Sequence, residues 1–275
     1  MLKLVETLSG TFVNNKSLSN TVIAGSRIDS LRSYKEAYDR LRGFLLRHPD
    51  EAAYVTVNNA HTIVEAALHD DFRKIINNSL LSLADGRPLS VLGKLKGAGD
   101  MNRIFGPTLL ETTLEWSQEH HLKHYFFGTR EHTLQRLKKE INRRFPKTQI
   151  AGMMAPPFRE FSDQENRSYI DHINETRPDI IWVSLGAPKQ ERWIFEHYKY
   201  LNHGIMIGIG AGFSYLIGDI KHAPKWMKVM ALEWLYRWSQ EPKRLAKRYM
   251  VGNPMFIYLV LRDLLTKKSD DHVRT

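Results

Sequence analysis

The sequence predicts an α/β fold on three observations. Short apolar runs recur along the chain: AYVTV (residues 53–57), HYFFG (124–128), DIIWVSL (179–185) and GIMIGIG (204–210). Segments of helical periodicity lie between them. From Trp226 onward the pattern changes to helix without strand, and the charge becomes strongly basic. Parallel neighbours need a long crossover, and a helix supplies it while covering one face of the sheet. The expected architecture is therefore a Rossmann-like parallel sheet with helices on both faces, plus a C-terminal helical appendage. A chain of 275 residues can bury a sizeable core without staples. It has no cysteine, which excludes disulfides, thiolate metal sites and cysteine nucleophiles.

The elements follow in order. The first 30 residues are polar and weakly patterned, and are expected to form an arm or a short edge element. The opening MLKLVETLSGTFVNNKS lacks the charged start and long apolar middle of a secretory signal. Tyr34, Tyr38, Leu41 and Leu45 have helical spacing over residues 34–47. The strand at 53–57 precedes a helix over about 60–68. LLSLA (80–84) is a strand that runs into Asp85-Gly86-Arg87-Pro88, a turn signature. The strand at 124–128 enters a helix over about 131–144, the one at 179–185 enters a helix at Pro188, and the one at 204–210 enters another. Two helical segments follow Trp226, with Pro254 expected to start the second. No run approaches the roughly 18 apolar residues that a spanning helix needs, so a cytosolic protein is expected, with lipid contact only at its surface.

The charge sum is +10, from 40 basic and 30 acidic residues. Residues 221–268 hold eleven Lys or Arg and three acids (Glu233, Glu241 and Asp263), so most of that excess is local. This places a boundary near Lys221, between a body at 1–220 and a basic appendage at 221–275. An anionic partner follows: lipid surface, nucleic acid or phosphorylated substrate. Trp226, Trp234, Tyr236, Trp238 and Tyr249 interleave with the cations, the mixture that interfacial helices carry. No nucleic-acid motif accompanies them, which ranks an anionic membrane above RNA.

Ligands of open α/β sheets sit outside the carboxyl ends of the strands. Four ends carry chemistry here. Thr56 and Asn58 end the first strand, and Asp85 follows the second. Gly186 to Glu191, with Pro188, Lys189 and Gln190, follows the 179–185 strand. Gly210-Ala211-Gly212 follows the 204–210 strand. Asp85 is placed to take a proton from a hydroxyl that receives a sugar, or simply to cap a turn. Pro188 at a first helical position, with free backbone N–H groups ahead of it and Lys189 beside it, could hold a diphosphate; an ordinary strand-to-helix turn is the alternative. Gly208-Ile209-Gly210 is half a dinucleotide fingerprint, with Phe213 where the third Gly belongs. His120 and His124 are four apart and could bind zinc on one helix, but a third ligand is missing and a solvated helix end is favoured. There is no Asp-x-Asp motif of the kind that grips a diphosphate through a divalent ion, so metal-free chemistry without a cofactor is expected.

Taken in order, these segments resemble the WecG/TagA/CpsF family, bacterial glycosyltransferase family 26, over about residues 54–261. The resemblance is carried by Thr56 and Asn58, by Ala84-Asp85-Gly86 with Pro88, and by Arg103-Ile104-Phe105-Gly106-Pro107. Phe127-Gly128, Gly186 to Glu191 with Trp193, and Gly208 to Phe213 continue it. Ala223-Pro224 with Trp226, Leu232 to Arg237, Glu241-Pro242 with Arg244-Leu245, Arg248-Tyr249 and Asn253-Pro254 complete it. It implies inverting transfer of a sugar from a UDP-sugar, of N-acetylmannosamine, its uronic acid or glucose type. The implied acceptor is a polyprenyl-diphosphate-linked glycan at the inner face of the bacterial cytoplasmic membrane, in the synthesis of surface polysaccharides such as capsule or exopolysaccharide. Asp85 maps to the proposed general base. Thr56, Asn58, Arg103 and Gln190 map around donor and acceptor, as do the glycines Gly128, Gly186 and Gly210 with Lys189. The appendage is implied to close the site and meet the membrane, with Arg237, Arg244 and Arg248 facing UDP or the acceptor diphosphate. Two positions depart from the family pattern: Ser214 stands where Asp is common, and His222 where Arg is common. Two rivals stay open at this level, an NAD-linked oxidoreductase built on the Gly208 region and a non-catalytic basic adaptor on membrane or RNA.

Overall fold

Six parallel strands in the order β4-β3-β8-β7-β5-β6 form the centre of the molecule. They are β3 (Ala52–Asn58), β4 (Leu81–Ala84), β5 (Lys123–Gly128), β6 (Gln149–Met154), β7 (Ile180–Ser184) and β8 (Gly204–Gly208). The structure, a computed structural model, describes residues 19–272; the opening segment of the expected N-terminal arm, residues 1–18, lies outside the described residues. Successive strand side chains point to opposite faces, so a sheet covered on both sides needs apolar residues at nearly every position. Val55, Val57, Phe126, Trp182, Ile205 and Ile207 share one core with α1 (Tyr34–Arg47), α5 (Gly106–His120) and α6 (Glu131–Arg144). Tyr54, Tyr125, Phe127, Ile181, Val183 and Met206 share another with α3 (Asp70–Asn77), α7 (Asp163–Thr176) and α8 (Lys189–His197). The periodicity predictions for α1, α6 and α2 (Ala60–Leu68) hold at both ends of each helix. Ser33 caps α1 by accepting from Glu36 N–H, and Asn59 with Thr62 forms a capping box on α2.

The expected edge element is an antiparallel hairpin, β1 (Asn20–Ile23) and β2 (Ser26–Asp29). It shields the free edge of β4. The Asp29 carboxylate accepts the Ser82 N–H at 2.8 Å, a backbone donor that would otherwise face outward for pairing. Burial raises the pKa of Asp29, and this hydrogen bond opposes the rise.

The C-terminal region differs from expectation in two ways. It holds three helices, not two: α10 (Lys225–Val229), α11 (Glu233–Gln240) and α12 (Pro242–His272). Pro254 lies inside α12 rather than at a start. Its missing N–H frees a carbonyl one turn back, at Met250, and both residues face outward where that carbonyl can be solvated. The opposite side of α12 buries Phe256 and Leu259 with Ile63 and Val64 of α2 and Ile23 and Ile28 of the hairpin, which carries the helix through the break. Among the described residues no helix is long and apolar enough to cross a membrane.

The three histidines of the 120–124 stretch do not converge. His120 ends α5 and pairs through Nδ1 with Tyr38 Oη at 2.8 Å. His121 takes the left-handed conformation that ends that helix. His124 is buried in β5, where Trp182 Nε1 donates to its Nδ1 at 3.1 Å. Burial lowers its pKa to about 4, so it is neutral. The zinc pair fails because the chain leaves the helix between its two members.

Candidate active site

The carboxyl ends of all six strands meet one edge, and Asp85 stands where β4 leaves it. Its backbone N–H donates to Asn58 O at 2.8 Å, which fixes the turn against the end of β3. One carboxylate oxygen, Oδ1, accepts the Gly106 N–H at 2.7 Å. The other makes no hydrogen bond among the described residues. The residue still reaches solvent, yet protein surrounds the carboxyl. That burial raises its pKa, against the pull of Arg103 and the Gly106 hydrogen bond. An accessible carboxylate of raised basicity at a cleft floor can accept a proton from a hydroxyl.

Arg103, from the loop between α4 (Arg87–Leu95) and α5, frames this group. Its Nε donates to Asp85 O, and its Nη1 pairs with Glu233 of α11. The guanidinium lies 4.4 Å from the Phe105 ring centre. Phe105 in turn meets Tyr215 edge-on at 5.4 Å, and Tyr215 packs on His222 at 4.9 Å. Burial pushes the Tyr215 hydroxyl up to about 12, which keeps it a neutral donor. His222 is pushed down by burial and then by Lys228, which favours the neutral imidazole beside Arg103.

Thr56 and Asn58 lie deeper than expected. Both are solvent-excluded, at 2% and 0% exposure. Asn58 Nδ2 donates to Thr56 Oγ1 at 2.9 Å and to Ser82 Oγ at 3.0 Å, so the pair ties β3 to β4 beneath the edge. They support Asp85 rather than line an open surface. Asn58 Oδ1 is buried without a partner among the described residues.

The two glycine loops are built differently from the anion cradle the sequence suggested. Pro188 is the N-cap of α8, one position before the helix. Gln190, only 3% exposed, turns its amide back under both loops. Its Oε1 accepts Gly186 N–H at 3.2 Å and Gly210 N–H at 3.0 Å, and its Nε2 donates to Glu191 Oε1 at 2.7 Å. Two of the backbone donors offered to a diphosphate are thus already engaged. Gly208 is glycine because a Cβ there would come within 2.9 Å of Gln190 Nε2. The half fingerprint at Gly208 to Gly210 therefore makes room for a side chain of the chain itself. Gly128 likewise lets β5 abut the Ser184 carbonyl of β7. Lys189 is exposed and points away: its Nζ donates to Arg159 O at 2.8 Å and lies 4.6 Å from the Phe161 ring centre. Ser214, in α9 (Gly212–Leu216), makes no side-chain hydrogen bond among the described residues.

The appendage brings two of the three expected arginines inward. Arg248 donates to Asn59 Oδ1 at 3.2 Å and is close enough to Asp85 and Glu191 to feel both charges; burial lowers its pKa. Arg237 pairs with Glu241 and stands 5.5 Å from the Tyr215 ring centre. Arg244 pairs with Glu241 at 2.6 Å but is 60% exposed and faces away. Sequence reasoning missed Asn59, Glu233 and Tyr215 as members of the site, and missed that Glu191 is buried, with one oxygen that has no partner among the described residues and its pKa raised to about 7 by desolvation. Glu191 and Glu233 were within quoted motifs, so position along the chain was legible while orientation was not. Among the described residues no three His, Asp or Glu side chains are grouped to hold a metal ion.

A model of the glycosyl transferase WecG/TagA/CpsF family matches residues 21–270. The chain belongs to this family. Its relatives include the N-acetylglucosaminyldiphosphoundecaprenol N-acetyl-beta-D-mannosaminyltransferase of Bacillus spizizenii, 26% identical over 216 residues, which cover 78% of this chain and 80% of that one. The protein of the same name from Staphylococcus aureus is 23% identical over 224 residues, 82% and 85% of the two chains. That from Bacillus subtilis is 26% identical over 211 residues, 75% and 78%. In this WecG/TagA/CpsF transferase the match runs from the hairpin through α12, so the appendage is part of the family's common plan.

Proposed function

We propose that this glycosyltransferase moves a sugar of the N-acetylmannosamine type from a UDP-sugar to N-acetylglucosamine on a polyprenyl diphosphate, with inversion and without a metal. The relatives' names supply the acceptor and the sugar. The observation that carries the mechanism is the divided carboxylate of Asp85, one oxygen held by Gly106 N–H and the other open. The open oxygen takes the proton of the acceptor hydroxyl. The new bond forms from that hydroxyl oxygen to the anomeric carbon, while the bond from the anomeric carbon to the UDP β-phosphate oxygen breaks on the opposite face. The charge left on UDP is met by Arg248 and Arg237, groups already fixed before reaction. Ser214 replaces the acid common at its position, which removes a carboxylate from the donor side of the site.

The appendage serves as the membrane contact in this proposal. Trp226, Trp234 and Leu235 are exposed near its arginines and lysines, and Met250, Ile257, Tyr258 and Leu261 are exposed along α12. Apolar side chains mixed with cations suit an anionic lipid surface, each cation contributing about 1 kcal/mol near it.

The test offers the full chain a panel of UDP-sugars with a short-chain polyprenyl-diphosphate N-acetylglucosamine, with and without EDTA, and reads products by mass. A disaccharide formed from UDP-N-acetylmannosamine in EDTA is expected. Transfer that EDTA abolishes removes the metal-free mechanism, and no transfer from any UDP-sugar removes the donor assignment. Flotation with anionic vesicles checks the membrane contact; equal flotation of a chain with Ile257, Tyr258 and Leu261 all changed to Ser would remove it.

A further inference from the structure

A second polar cavity adjoins Asp85, and neither the family pattern nor the mechanism above assigns most of its cations. It is about 450 Å³ in volume and is lined by Arg32 from the loop after β2, by Tyr34 at the start of α1, by Arg87, Val91 and Lys94 of α4, and by Arg103. Four cations and no carboxylate face it. Arg32 and Arg103 are balanced from outside by Glu36 and Glu233. Arg87 and Lys94 form no ion pair among the described residues. Arg87, Val91 and Lys94 recur at helical spacing and so share one face of α4. Next to them Val91 and Leu95 are exposed, at 46% and 74%. A pair of uncompensated cations flanked by exposed apolar side chains matches a diphosphate that continues into hydrocarbon.

The position is selective. Arg103 belongs both to this cavity and to the base, since its Nε donates to the Asp85 carbonyl. In N-acetylglucosamine carried on a diphosphate, the anomeric phosphate and the accepting hydroxyl are separated by one sugar ring. A diphosphate in the cavity would therefore leave that hydroxyl within reach of Asp85. The cavity is lined by residues that follow β2 and β4, the edge strand, whereas Arg237, which the mechanism above turns on UDP, stands by Tyr215 of α9, after β8 in the middle of the sheet. Attack with inversion requires acceptor and leaving group on opposite sides of the anomeric carbon, and separate places for the two diphosphates meet that requirement in this proposal.

We infer that Arg87 and Lys94, with Arg32 and Arg103, bind the diphosphate of the lipid-linked acceptor, with Val91 and Leu95 against its first isoprene units. This rests on the acceptor class proposed above, and the same cations could in principle hold the diphosphate of the nucleotide. One set of binding measurements separates the cases. Full-length wild type and R87A/K94A are titrated in detergent with farnesyl-diphosphate-linked N-acetylglucosamine, and separately with UDP. The double variant is expected to bind the lipid-linked sugar about tenfold more weakly or worse, as for loss of charge-assisted hydrogen bonds, with UDP affinity unchanged. At saturating acceptor its kcat should stay near wild type, so the defect falls in KM for the acceptor. Unchanged acceptor affinity overturns the inference, and so does a loss confined to UDP, which would make the cavity the nucleotide's. Wild type that binds the lipid-linked sugar through Arg87 and Lys94 yet transfers from no UDP-sugar leaves the inference standing and removes the donor assignment instead. Wild type that does not bind the lipid-linked sugar removes both. Both side chains reach solvent, and equal melting temperatures of the two proteins confirm that the variant is folded.

Discussion

Two corners of the same sheet edge read differently in sequence, and the structure reverses the reading. At the β7 and β8 corner, Gly186, Pro188, Lys189 and Gly210 have the composition of an anion cradle. There the Gln190 amide takes the two glycine N–H groups, and Lys189 is anchored to Arg159 O. At the β4 corner the turn Asp85-Gly86-Arg87-Pro88 looks ordinary. There, among the described residues, one carboxylate oxygen has no hydrogen bond, Arg87 and Lys94 form no ion pair, and the appendage adds Arg248. The difference teaches that hydrogen-bond accounting, more than motif composition, decides where a ligand can bind. A backbone donor already satisfied inside the chain has little left to offer a phosphate.

The sharpest way to break this contrast is at Asp85. Asp85→Asn keeps the shape but cannot take a proton, and turnover should fall about 100-fold or more with UDP affinity retained. Near-normal turnover would leave the β4 corner without its chemistry. The wild-type rate should also fall on the acid side with an inflection above the ordinary carboxylate value, because burial raises the Asp85 pKa; that limb is read from kcat/KM against pH.

The next effect belongs to the β7 and β8 corner and concerns stability. Glu191 titrates near 7 in the folded chain against 4.5 when unfolded. The native state keeps a proton that the unfolded chain releases, so stability declines as pH rises from 4.5 to about 7 and levels off above that. Glu191→Gln cannot ionise, and its amide oxygen can still accept from Gln190. The wild type should lose on the order of 3 kcal/mol relative to this variant between pH 4.5 and 8, measured by urea unfolding. Parallel pH profiles would show that Glu191 is not held neutral. Gln190→Ala follows, with a stability loss of about 2 kcal/mol from the unmade hydrogen bonds of both loops. If it instead leaves stability intact while abolishing UDP binding, the amide works on the ligand and the contrast fails. The smallest effect is at Lys189. Lys189→Ala should change UDP affinity by less than about threefold, as befits an exposed cation tied elsewhere. A large loss, seen by calorimetry, would return the cradle to this corner.

Much of this molecule was legible from residue order. Periodicity located α1, α2 and α6 because each buries one stripe against a sheet and nothing competes with that demand. Asp85 stood out by its place at a strand end, and its role, with Arg103 and Arg248, came from the family resemblance rather than from residue type alone. Pro254 misled because a helix held by Phe256 and Leu259 can absorb a missing hydrogen bond, a matter of packing that local preference does not contain. The histidine pair misled because the end of α5 falls between its members.

The sequence by itself determined the layered α/β plan, the basic appendage and the carboxylate at the end of β4, since these depend on local periodicity, charge and residue type. Only the tertiary structure decided which of the candidate groups are free. Gln190 reaches Gly186 and Gly210 because β7 and β8 are neighbours, and Arg32 joins Arg87, Lys94 and Arg103 in one cavity because the hairpin brings the loop after β2 against β4. Whether a donor or a charge is satisfied is set by partners distant along the chain, and no local pattern carries that information.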